Sequence, residues 1–148
     1  MTNPTRTPVR AGDIVDDETV AHIFNGVTRR SLPRAEWTHP AHLVFATALL
    51  GERGRAAAEA AAPSLIRAYN ESVGGVNDDT QGYHHTITLL FLRHIDVFLA
   101  PYANESAGAR ATRLLASPLA ATDYPLKFYS RERLFSVDAR RGWIEPDL

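Results

Sequence analysis

Residues 83–99 read YHHTITLLFLRHIDVFL. Advancing about 100° per residue puts His84, Ile87, Phe91, Ile95 and Phe98 on one face, predicting a helix over roughly Tyr83–Leu99. His84 then lies within the apolar stripe rather than at its edge. Residues 38–50 read THPAHLVFATALL. Thr38 is a good helix cap and Pro40 suits a first turn, so a helix is expected from there to about Gly51. On it His42 aligns with Phe45, Ala46 and Leu49, again the apolar side.

Working outward, Asp16 and Asp17 offer caps to a helix carrying Val20, Ile23, Phe24 and Val27, with Arg29–Arg30 at its C-terminal end. The Ala-rich stretch from Arg55 leads through Pro63, which opens a new helix or kinks one, to Gly74–Gly75. A turn-rich loop, Gly74–Gly82, follows. A further helix is expected over about Glu105–Ala116, then two short ones capped by Ser130 and Ser136, with Trp143 packing back. No strand alternation or internal repeat is present. The expected fold is all-α: a single-domain helical bundle of about five main helices plus short C-terminal ones. Residues 1–13, rich in Thr, Pro and Arg, read as a flexible lead-in to a domain over 14–148.

Composition narrows the chemistry. The chain has 148 residues, 45% hydrophobic, enough to bury a sizeable core. It has no cysteine, which removes disulfides, thiolate nucleophiles and Cys-containing metal sites. A formal charge of −1 lacks the basic excess expected of a nucleic-acid binder. The start shows no apolar signal region and no run is long enough for a bilayer, so a cytoplasmic protein without a membrane partner is expected. A homodimer stays open. There is no phosphate-cradling Gly-rich loop, nucleophile elbow or dinucleotide fingerprint.

What remains is histidine. His42 and His84 face inward near the starts of two long helices, and His39 lies one turn before His42. Buried imidazoles need partners, since an unsatisfied buried polar group costs about 1–3 kcal/mol. One reading is a divalent metal, Zn²⁺ or Fe²⁺, held by His39, His42 and His84 with Glu36 or Asp79 as a further ligand. Against it, helix N-termini carry partial positive charge. The other reading is metal-free acid–base chemistry by His84 or His42, with Tyr83 beside them. Asn77 and Asp79 in the acidic loop, and Arg131 and Arg133 at a helix start, are candidates for orienting a small, anionic ligand. A non-catalytic ligand-binding or metal-sensing module would use the same pocket. A structural domain would instead leave the histidines tied to backbone carbonyls.

The strings EWTHPAHL (36–43), RAYN (67–70), GYHHTIT (82–88) and SRERL (130–134) resemble a family of small bacterial proteins of unknown function. That family is characterised by EWTHxAHL and GYHxTIT blocks, and the similarity runs from about Leu32 to the C-terminal Pro-Asp-Leu. The resemblance implies that His39, His42 and His84 belong to one site. Members often carry Glu where this chain has His85, so any role of that Glu is altered here. The resemblance implies no reaction and no substrate. The expectation is a small-molecule enzyme with a histidine-cluster site between two helices.

Overall fold

Side chains that compete poorly inside helices start them here. Asp16, Thr38, Ser106, Ser130 and Ser136 each accept a hydrogen bond from the backbone N–H three residues on. In the computed structural model, which describes residues 5–148, they open α1 (Asp17–Thr28), α2 (His39–Arg53), α5 (Ala107–Leu115), α6 (Arg131–Leu134) and α7 (Val137–Arg141). The other two long helices are α3 (Arg55–Ser72) and α4 (His85–Leu99). The fold is all-α. Among the described residues there is no strand, and no single helix is long and apolar enough to cross a membrane.

The apolar stripe of α4 is wider than an amphipathic surface helix needs, and α4 is accordingly central. Leu89, Phe91, Leu92 and Ile95 join a main core shared with α1, α2, α3 and α5. Leu90 instead meets Tyr129 and Leu134 in a smaller core under the C-terminal segment. A helix buried on both sides must be apolar most of the way round. Ala58 and Ala62 are fully covered on α3, and Tyr69, about two turns further along the same face, donates its buried hydroxyl to Leu32 O at 2.8 Å.

Two expected boundaries move. The second helix continues past Gly51 to Arg53, and Gly54 alone joins it to α3. Gly54 has φ of 79°, a left-handed conformation that costs glycine least. Pro63 neither opens nor ends a helix, because α3 runs through it for 18 residues. Packing against α2 and α4 outweighs the one hydrogen bond its missing N–H removes. Of the N-terminal lead-in, residues 1–4 lie outside the described residues. Beyond them Arg6 N–H donates to Glu36 Oε2 at 3.0 Å and Gly12 N–H to Leu115 O at 2.8 Å, so this segment is attached to the bundle.

The central packing gives a direct expectation. Leu114→Ala, at a fully buried position of α5, should cost about 2–5 kcal/mol in chemical denaturation, whereas exposed Val97→Ala should stay within about 0.5 kcal/mol of wild type.

Candidate functional site

The N-terminal halves of α2 and α4, with α3, enclose a cavity of about 370 Å³. Its walls are largely apolar: Leu43, Phe45, Ala46 and Leu49 from α2, Ala62 and Ile66 from α3, Ile87, Phe91 and Leu92 from α4. Phe135 also lines it while remaining half exposed, and so stands at its mouth. The polar lining is His39, His42, Asn70, Tyr83, His84, Thr88 and Arg140. The three histidines singled out by their positions on the two helices therefore share one cavity, but they do not share one role.

His42 is locked by the start of its own helix. Its Nδ1 lies 2.7 Å from Thr38 O. A carbonyl only accepts, so Nδ1 carries the proton and donates it, leaving Nε2 as an unprotonated lone pair. Trp37 stacks on the ring at 3.6 Å between centroids. Burial pushes the imidazole down to about 4, the Thr38 bond only partly opposing it, with a smaller lowering from His39. His42 is thus neutral across the physiological range.

His39 is the least satisfied of the three. Its ring packs edge-on against Phe91 at 5.4 Å, and its buried Nε2 has no hydrogen-bond partner among the described residues. Burial lowers its basicity too.

His84 is fully committed. It is the N-cap residue of α4 rather than a residue of the helix, with Nδ1 accepting the Ile87 N–H at 3.2 Å. Nε2–H donates to Leu134 O at 2.7 Å, tying α4 to α6. Both nitrogens are spent in the Nε2–H tautomer, the opposite of His42. Burial lowers its basicity first, with the positive charge of Arg140 acting in the same direction. In this arrangement neither nitrogen keeps a lone pair free for a metal or a substrate proton.

Other expected ligands are engaged elsewhere. Trp37, at φ −86° and ψ 66°, separates α2 from a 3-10 turn over Arg34–Glu36. Glu36 therefore points to α1, where Oε1 lies 2.7 Å from His22 Nε2. Both oxygens of Asp79 accept from Arg141, at 2.8 and 2.7 Å. Asn77 organises its loop, accepting from Asn70 Nδ2 at 3.1 Å and Tyr83 N at 3.0 Å. Gly82, at φ 80°, closes against it, and a Cβ there would collide with Val76 O and Asn77 Oδ1. Arg133 Nε donates to Glu145 O at 2.7 Å, and Arg131 lies over the Phe135 ring at 5.8 Å. None of Glu36, Asn77, Asp79, Arg131 and Arg133 lines the cavity.

The donor set does not fit a divalent ion. Among the described residues no group of three or more His, Asp or Glu side chains is arranged to hold one. With His84 spent, only His39 and His42 remain, and the cavity contains no carboxylate to offset the ion's charge.

Tyr83 does line the cavity, its hydroxyl hydrogen-bonded to His85 Nδ1 at 2.7 Å and Arg67 lying over its ring at 4.9 Å. Burial pushes the phenol up to about 12, so it stays protonated. The cavity residue without any local signal is Arg140. Its Nη1 donates to Gly82 O at 3.0 Å and Tyr83 O at 3.4 Å, across 58 and 57 residues of chain. In comparisons with known proteins, no family model, no curated protein and no solved structure matches the chain.

Two expectations follow from these imidazoles. His84→Ala removes a cap and leaves Leu134 O unpaired, and should lower stability by about 1–3 kcal/mol in denaturant titration. An unfolded chain protonates histidine near 6.5, but folded His42 only near 4. Between those values the unfolded state binds more protons, so stability present above pH 6.5 is lost as pH falls towards 4, by about 3 kcal/mol for His42 alone. Melting curves across that interval should show the fall, and His42→Phe should flatten it.

Proposed function

We propose that this chain is a small-molecule enzyme whose cavity binds a ligand carrying a hydrogen-bond donor, with His42 Nε2 as the proton acceptor and His39 completing the contact. The observation that carries this reading is that His39, a residue of the cavity lining, holds a buried Nε2 with no partner among the described residues. Buried polar side-chain atoms in folded proteins nearly always have partners, and an exception calls for an explanation such as a ligand. His42 adds a lone pair whose tautomer is fixed in advance by Thr38 O, so no reorientation is needed when a hydroxyl arrives.

At about 4, free His42 is a weak base. Negative charge brought into the cavity with the ligand raises an imidazole's pKa, towards the range where proton transfer is efficient. The same low basicity favours a second reading, a non-catalytic binding module in which His42 only accepts a hydrogen bond. Turnover separates the two: an enzyme loses it on His42→Ala while retaining binding, and a binding module never has it.

His39→Leu tests the ligand-site reading. Replacing an orphaned imidazole with an apolar side chain should leave the melting midpoint unchanged or raised, because sites held for function are commonly kept at some cost to stability. Binding of benzyl alcohol, a probe with one hydroxyl and an apolar ring, should weaken. A destabilisation of about 1–3 kcal/mol with unchanged probe binding would make His39 a scaffold residue and contradict the reading.

A further inference from the structure

We infer that the ligand carries, beside the hydrogen-bond donor that faces His42 and an apolar body, a single carboxylate received by the Arg140 guanidinium at the cavity wall. This rests on the reading of the cavity as a ligand site and adds the class of molecule.

Three observations converge on it. First, Arg140 is half-buried and has no counter-ion among the described residues. Its neighbour Arg141 is neutralised by Asp79, with a 2.7 Å contact. Arg140 instead spends only Nη1, on two backbone carbonyls. Among the described residues its Nε and Nη2 have no protein acceptor. Those two nitrogens form the edge of the guanidinium that takes a carboxylate through two parallel hydrogen bonds. The Gly82 and Tyr83 carbonyls hold the fork in place before any ligand arrives, which reduces the entropy lost on binding.

Second, the cavity lining contains no Asp or Glu. A chamber lined by one arginine, neutral imidazoles and otherwise uncharged side chains has a field that favours a negative guest and opposes an amine. The first turns of α2 and α4 contribute to that lining through His39 and Ile87, adding partial positive charge of the same sign.

Third, there is one cation and no more. Arg140 is the single Lys or Arg side chain of the lining. A phosphate dianion or a dicarboxylate would bring a second charge into apolar surroundings with nothing to balance it. The walls supplied by Leu43, Leu49, Phe91 and Leu92 match an alkyl or aromatic body instead.

Calorimetric titration of octanoate, octanol, octylamine and octyl phosphate into wild type, Arg140→Gln, Arg140→Lys and Arg141→Gln tests the inference. Octanoate should bind tightest, octylamine should not bind, and Arg140→Gln should weaken octanoate on the order of ten- to a hundredfold while leaving octanol unchanged. Arg140→Lys, which keeps the charge and loses the fork, should fall between the two. Arg141→Gln should bind like wild type. Octanol binding as tightly as octanoate would overturn the monocarboxylate inference and leave the ligand-site reading standing. So would tighter binding of octyl phosphate, or octanoate affinity unchanged in both Arg140 variants. If no member of the series binds wild type, the ligand-site reading falls and this inference with it.

Discussion

The carbonyl oxygen of Thr38 accepts twice from one residue: the backbone N–H of His42 at 3.0 Å and its Nδ1–H at 2.7 Å. The first bond starts α2. The second fixes which nitrogen of His42 carries a proton and which way the ring faces. Trp37 then covers the imidazole from outside, and burial keeps it uncharged. Helix initiation, ring orientation and protonation state are thus set by one dipeptide, Trp37–Thr38, and the cavity beside them takes its chemistry from that arrangement.

His84 shows the same economy turned to another end. Its ring stands where Thr38's hydroxyl stands on α2, accepting the N–H three residues on. An imidazole can cap a helix and still donate from its far side, and here that donor reaches Leu134 O. The cavity wall is therefore built from one histidine with an open acceptor, one with an orphaned nitrogen and one whose two nitrogens are both hydrogen-bonded. Burial lowers the basicity of all three. Uncharged imidazoles leave Arg140 as the only full charge on the wall, so the electrostatic character of the cavity depends on one side chain brought in from α7.

Much of this was legible in the residues themselves. Helical periodicity places His42 beside Phe45, Ala46 and Leu49, and those residues do share the cavity wall. His84 reaches the same wall for a different reason, as the cap immediately before α4 rather than as part of its stripe. Periodicity cannot see that distinction, because a residue one position outside a helix still falls on the same angular grid. Glu36 is equally out of reach of periodicity: the backbone turns at Trp37, and a one-residue departure from helical geometry sends its side chain to His22. Arg140 had no signal at all. Its neighbours Gly82 and Tyr83 are 58 and 57 residues away, and only the packing of α7 on α4 brings them together.

Long-range nitrogen–proton correlation spectra of the imidazoles read the protonation pattern of His42 and His84 directly, without a ligand. His42 should appear as the neutral Nδ1–H tautomer and His84 as the neutral Nε2–H tautomer, with His42 holding that state well below its ordinary pKa of 6.5. A His42 that titrates near 6.5, or that carries its proton on Nε2, would contradict the account, because the Thr38 lock would be absent and the open acceptor in the cavity would not exist.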